Sequence, residues 1–440
     1  MINLFESFNK KTITLYKSFM YSNIDVSTIV LEETGFLPDR IITPYKYFSN
    51  NSINKIKPLY FNQLQIPDYW EIEGNNDRAF VKDKGELRAK IMYKIGFRDR
   101  IIEKVEWLNK KGKTQFIDYY NKYGFKYARL VIQPSSHKRL LKCYYNEKNE
   151  KFLIENFVTH NILLRWKNKE YFFDSSIDFY EFFLKEGNFE TSNFLFNSLL
   201  RVPSVINKTG NNGKDYLYWQ GEIDDNIIRH IMHNLNRPNR DLKVIVPNEK
   251  RYSQLAYKLE EQKNIVIKGG YVYKFKKNNS YSNQILCLTN SDQVLYLEQL
   301  AQSNPQYDFH IAALTTMSNK LLTLNKYSNI HLYPNVIKKK IIELYEECDI
   351  YLDINKGKEI LDSVRAAFDY NLLILAEKEI THNADVTAPN NIITSNNGKE
   401  FSSILKEIYN NKEKFKNRLI YQHKHAGAMS PSEFKKIFKK

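Results

Sequence analysis

Two hydrophobic periods run through this chain and divide it. Over 56–189, short stretches alternate apolar and polar positions: 59–66, 79–82, 87–93, 105–108, 116–120, 127–132, 140–145, 151–154, 162–166 and 170–173. Period two suits strands with one buried face, and turn clusters such as Gly74-Asn75-Asn76-Asp77 separate them, so an antiparallel meander is expected. A helix at 177–185 closes it. Over 1–55 and 190–275, strand-length apolar runs exchange with helix-period stretches. The opening, MINLFESFNKKTITLYKSFM, predicts an amphipathic helix. A strand at 26–31 and a loop punctuated by Gly35 and Pro38 follow it. Strands are expected at 194–200, 243–246 and 265–267, and helices at 226–235 and 251–261.

The polar stretch KFKKNNSYSN at 274–283 marks a boundary, and the clearest pattern lies beyond it. Strands are expected at 285–288, 309–314, 330–333 and 392–394. Asn290, with Gln293 three residues on, predicts a capped helix carrying Val294, Leu297 and Leu300 inward. A second helix places Ile337, Ile341, Leu344, Tyr345 and Cys348 on one face, and a last one buries Phe401, Ile404, Leu405, Ile408 and Phe415. Strands alternating with helices mean right-handed parallel units. The organisation expected is therefore α/β: one Rossmann-like domain from 1–55 and 190–275, an inserted β-sheet domain at 56–189, a second Rossmann-like domain at 276–420, and a basic tail at 421–440. In the tail, Ser430-Pro431-Ser432-Glu433 is a helix start. Phe434, Ile437 and Phe438 then form an apolar face beside Lys435, Lys436, Lys439 and Lys440. That face suits either a membrane surface or packing back across the N-terminal domain, and the second reading is preferred.

Residues 348–375 concentrate the candidate chemistry. They read as strand, loop, helix and strand, and open α/β sheets bind ligands at such carboxyl strand ends. Asn290, Asp353, Asn355, Lys356 and Arg365 define the expected crevice. Arg365 offers only donors; it meets an anionic group or pairs internally with Asp362 or Asp369, and internal pairing comes first. Nucleotide-sugar transferases of the two-Rossmann (GT-B) architecture place a Glu, seven residues and a second Glu in such a unit, then a Gly and a Pro. Here Arg365 stands in place of the second Glu, Gly357 lies eight residues before it, and Tyr370 and Leu372 replace the Gly and Pro. The frame is that of a transferase without its donor chemistry.

Charge and composition narrow the classes. A net charge of +16 favours anionic partners, yet no nucleic-acid signature is present, and Lys-, Asn-, Ile- and Tyr-rich usage accounts for the charge equally well. Gly is scarce at 15 of 440 residues, which disfavours phosphate-cradling loops. No Walker loop, GxGxxG, GxSxG or HExxH occurs. His230 and His233 share a helix face, which alone does not make a zinc site, so neither metal nor cofactor is expected. His423 and His425 are expected at the surface. Lys338-Lys339-Lys340 opens a helix as a solvated run. The three cysteines lack motif spacing, which suits a reducing cytosol. No stretch is long and apolar enough to span a membrane.

The opening segment, TIVLEETGFLPDRIITPYKYF at 28–48, the inserted meander and the altered second Rossmann unit together resemble the glycosyltransferase-stabilising (B subunit) family of the bacterial accessory Sec system. The resemblance implies a GT-B-like fold and a catalytically silent subunit in the cytoplasm, with peripheral membrane contact through the basic C-terminus. Its implied partners are a catalytic A subunit, which uses UDP-GlcNAc for protein O-glycosylation, and a serine-rich repeat adhesin as acceptor. The crevice residues Asn290, Asp353, Asn355, Lys356 and Arg365 would then bind acceptor. The meander would meet the partner, with Tyr69, Trp70, Trp107 and Trp166 as aromatic anchors. An active transferase with a divergent donor site, or a basic nucleic-acid-binding protein, are the alternative readings.

Overall fold

Three sheets organise the chain in the computed structural model, which describes residues 1–51, 57–96, 99–237, 239–395 and 397–438. The expected boundary between residues 55 and 56 lies outside the described residues, as do Lys439 and Lys440. The chain divides into two units, residues 1–16 with 25–245 and residues 17–24 with 246–440.

In the first unit, a parallel sheet runs in the order Arg240–Val246, Gly213–Tyr218, Phe194–Phe196, Ile2–Phe5, Ser27–Val30, Ile41–Ile42. Between its last and third strands the chain leaves to build a ten-stranded antiparallel sheet from Trp70–Gly74 to Lys169–Phe173, each strand paired with its sequence neighbour. Alternation explains the meander: Ala79, Val81, Ala89, Ile91, Ile102 and Val105 are all fully buried, while the residues between them stay accessible. The edges are Trp70–Gly74 and Lys169–Phe173.

The second unit has a six-stranded parallel sheet, ordered Ile330–Tyr333, Asp308–Ala313, Gln284–Thr289, Ile350–Asp353, Leu373–Glu377, Ile392–Ile393. The order reverses between Gln284–Thr289 and Ile350–Asp353, which makes their carboxyl ends a topological switch point. Both faces are covered, so its strands read as continuous apolar runs. Phe309, Ile311, Leu352, Leu375, Phe401 and Leu405 pack on one side, and Leu286, Leu344, Tyr351, Val364, Phe368 and Ile374 on the other.

Several expectations need correction. The first residues are not helical: Ile2–Phe5 is a strand inside the sheet and the helix is Lys10–Tyr21. A short run buried on every side has no period to distinguish it. The segment 59–66 holds only a 3-10 turn, Phe61–Gln63. Asn290 caps no helix; the helix is Leu297–Ser303, entered through Tyr296 at φ 59°, and Val294 instead bridges Asn355. Ile337 precedes its helix and is 61% exposed. The stretch from Phe401 to Phe415 is two helices, Lys399–Asn410 and Lys412–His425, broken at Asn411. His423 is not a free surface residue. It stacks on Phe275 at 4.6 Å and hydrogen-bonds Asn371, and burial lowers its pKa to about 4. His425 contacts the Ala384 carbonyl.

At the C-terminus, Ser430 and Glu433 form the expected capping box. Phe434 is fully buried, its ring 5.2 Å from that of Phe19, so protein covers the apolar face. Lys339 and Lys340 at the helix start pair with Glu343. Among the described residues no helix is long and apolar enough to cross a membrane, and no cluster of three or more His, Cys, Asp or Glu is placed to hold a metal.

Candidate functional site

Strand Ile350–Asp353 delivers Asp353 to the switch point, where it is 2% exposed. Burying a carboxylate there requires partners, and His382 supplies two. Its backbone N–H donates to Asp353 Oδ2 at 2.8 Å and its Nδ1 to Oδ1 at 2.6 Å. The other ring nitrogen, Nε2, donates to the Gly357 carbonyl at 2.8 Å. A neutral imidazole has one N–H; two acceptors on opposite sides require the imidazolium. The bond to the Asp353 carboxylate, against the cost of burial, raises the His382 pKa.

The loop after Asp353 folds onto the neighbouring strand end. Asn355 Oδ1 accepts from Thr289 Oγ1 at 2.9 Å and from Gly357 N at 3.2 Å, and its Nδ2 donates to Asn290 Oδ1 at 3.3 Å. Asn290 Nδ2 reaches the Lys358 carbonyl at 3.0 Å. The backbones pair as well: Leu295 N to Ile354 O at 3.0 Å and Lys356 N to Gln293 O at 3.0 Å. A Cβ on Gly357 would overlap Asn290 Oδ1, so a larger residue there displaces the Asn290 side chain from this network.

The following helix, Ser363–Asp369, begins after two residues in the left-handed region, Leu361 at φ 51° and Asp362 at φ 53°. A helix start is where a phosphate would be met. Here the Glu359 carboxylate accepts from Val364 N at 3.1 Å, so the chain's own anion takes that place. One turn on, Arg365 pairs with Asp369 at 2.9 Å, the internal pairing expected, and lies 5.5 Å from the Tyr273 ring.

The structure therefore brings Asn290, Asp353 and Asn355 into one network, in which Asp353 and Asn355 are buried and Asn290 stays exposed. Lys356 is exposed at its rim and Arg365 points into a separate pair. His382, Thr289 and Glu359 were missed by sequence reasoning. His382 lies 29 residues from Asp353, and no local spacing signals the pairing. Glu377, at the next strand end, is 3% exposed, its Oε2 has no hydrogen-bond partner among the described residues, and burial raises its pKa.

The four aromatic candidates in the first unit separate. Tyr69 is 96% exposed at the edge strand's start. Trp70 is half-buried, with Arg88 over its ring at 5.9 Å. Trp107 donates Nε1 to Asp118 Oδ2 at 3.0 Å. Trp166 packs against Phe48 at 5.1 Å and Tyr47 at 6.1 Å, an internal role.

Four family models match this chain: the GtfB N-terminal domain over 2–48, the GtfB middle domain over 70–174, the GtfB third domain over 176–258, and the GftB/GlyA-F C-terminal domain over 285–422. A curated relative from Streptococcus agalactiae, "UDP-N-acetylglucosamine--peptide N-acetylglucosaminyltransferase stabilizing protein GtfB", is 37% identical over 410 residues, 93% of this chain and 92% of the relative. A chain of a solved "GtfA/B complex bound to UDP and GlcNAc" superposes with a TM-score of 0.93 at 36% identity, covering 100% of this chain and 99% of that one. The pneumococcal O-GlcNAc transferase GtfA shares the fold at a TM-score of 0.58 and 12% identity, covering 100% and 98%. The architecture is thus the GT-B-like pair of Rossmann-like domains with an inserted antiparallel sheet, and the chain belongs to the family of N-acetylglucosaminyltransferase stabilizing proteins.

Proposed function

We propose that this chain is the non-catalytic subunit of a protein O-GlcNAc transferase, stabilising a catalytic partner and holding a serine-rich polypeptide acceptor. The observation that carries the silent role is the filled donor position. Asp353 is bound by His382, Glu359 covers the helix start, and the loop at Gly357 rests on Asn290. A ribose or diphosphate would have to displace all three. Family membership supports the stabilising role, since the relatives are named for it.

The inserted sheet is the proposed docking element. Edge strands offer backbone groups that a second sheet can pair, and Tyr69 and Phe172, 96% and 62% exposed, stand at opposite edges. Trp70 joins this surface, whereas Trp107 and Trp166 support it from within. For the acceptor, Asn290 and Lys356 are exposed at the crevice rim, with Asp353, Asn355 and Arg365 shaping the surface. Peripheral membrane contact, if it uses the C-terminus, rests on Lys435 and Lys436, because Phe434 is buried.

The test is co-expression with a catalytic GtfA-type subunit. The purified chain alone should transfer no GlcNAc from UDP-GlcNAc to a Ser-rich peptide, while co-purified complex does. Tyr69→Lys with Phe172→Asp should reduce co-purification at least fivefold. Multiple-turnover transfer by the chain alone would overturn the reading.

A further inference from the structure

Because each strand of the inserted sheet pairs antiparallel with its sequence neighbour, alternate turns fall at opposite ends. The turns 84–85, 109–113, 133–138 and 157–161 share one end, and 75–77, 94–101, 121–125, 146–150 and 167–168 the other. The second end is tied to the parallel-sheet part of the unit: Lys122 N donates to the Gly35 carbonyl at 2.9 Å, and Glu147 N to Asn51 Oδ1 at 2.9 Å. It also mixes charges, with Asp77, Asp99, Glu147 and Glu150 among its basic residues. The first end differs on both counts. Among the described residues, every hydrogen bond of its turns stays inside the inserted sheet. Its turns hold Lys84, Lys110, Lys111, Lys113 and Lys138, and no Asp or Glu. All five lysines are exposed, and none has an ion pair among the described residues. The flanking acids Asp83 and Glu86 are both taken by Arg88 at 2.9 Å.

We propose that this end of the inserted sheet docks an acidic polypeptide segment of a partner other than the transferase. Alternate turns of a sheet stand about 10 Å apart. That is near the Debye length in physiological salt, so neighbouring turns add to one positive field. It is also the span of about three residues of extended chain, which lets carboxylates at that interval meet successive turns.

Shape and chemistry select a polypeptide. Neighbouring strands rotate by about 20–25°, so over the six strand steps between the first and last of these turns the row sweeps through roughly 120–150°. A flat bilayer meets only part of such a curve, whereas a flexible chain follows it. Single-stranded nucleic acid needs open aromatic faces on which to stack bases. The one Phe, Tyr or Trp in these turns is Phe157, and the Arg139 guanidinium lies over its ring at 4.5 Å.

Full-length protein, alone and in complex with a catalytic subunit, would be titrated with a labelled peptide carrying glutamate at every third residue. Fluorescence anisotropy reads binding at low and at physiological salt. The same peptide with glutamine, vesicles with anionic headgroups and a single-stranded oligonucleotide are the comparison ligands. One variant neutralises a turn: Lys110→Gln with Lys111→Gln and Lys113→Gln. A second, Lys406→Gln with Lys416→Gln and Lys424→Gln, removes the same charge from the second unit. All six side chains are exposed, so both variants keep the fold, checked by near-UV circular dichroism. The glutamate peptide should bind wild type more tightly as salt falls. The turn variant should bind it about tenfold more weakly, and the second-unit variant within about twofold of wild type. No binding of the glutamate peptide, equal binding of the glutamine peptide, or equal losses in the two variants would each overturn the proposal. Tighter binding of vesicles or oligonucleotide, with the same loss in the turn variant, would give the surface to another class of partner and overturn it too. So would failure of the turn variant to co-purify with the transferase, because the lysines would then belong to that contact.

Discussion

His382→Ala is the sharpest perturbation of the silent site. The side chain makes two bonds, one to a carboxylate that is 2% exposed. A hydrogen bond to a charged group is worth about 1.5–3 kcal/mol and a neutral one about 1 kcal/mol. Removing one partner of a buried ion pair costs about 3–5 kcal/mol, because the other charge stays behind. The second unit should therefore lose about 3–5 kcal/mol. At about 2–4 °C per kcal/mol for a unit of this size, its melting temperature should fall by roughly 6–20 °C. The pH dependence carries a sign. Asp353 raises the histidine pKa in the folded state, so the stabilisation is complete below the unfolded value of about 6.5 and is lost as pH rises through the folded pKa. Urea unfolding between pH 6 and pH 9 should show wild type losing this increment and the variant lacking it. Hydrogen exchange should quicken at residues 354–358, which His382 holds through Gly357. In a double-mutant cycle, Asp353→Asn should recover part of the loss because the stranded charge is gone. A melting shift under 2 °C, or a pH slope identical in wild type and variant, would refute the reasoning.

Two further outcomes follow from packing. Gly357→Glu combined with Arg365→Glu should restore no transfer from UDP-GlcNAc, since a Cβ at 357 displaces the Asn290 side chain while His382 still holds Asp353 and Glu359 the helix start; the double variant should be about 1–3 kcal/mol less stable, measured by urea denaturation. Phe434→Ala should cost about 3–5 kcal/mol, because that side chain is fully buried against Phe19, while Lys435→Ala should change thermal stability by less than about 0.5 kcal/mol.

What the sequence determined by itself was whatever local periodicity encodes. The antiparallel meander was legible because each strand pairs with the next, so alternation and turn chemistry specify both element and partner. The strand Ile350–Asp353, the helix bearing Arg365 and the Ser430 capping box were legible for the same reason. So was the loss of the donor signature at 357 and 365. Tertiary structure decided the rest. Ile2–Phe5 is an inner strand only because Phe194–Phe196 and Ser27–Val30 flank it, and four apolar residues carry no period that says so. A cavity beside Gly35 exists because the loop there meets hairpins some 90 residues later in the chain. Asp353 is held within the protein because His382, 29 residues away, reaches it across a parallel crossover. Such pairings depend on which strand ends the topology brings together, and side-chain spacing along the chain holds no record of that.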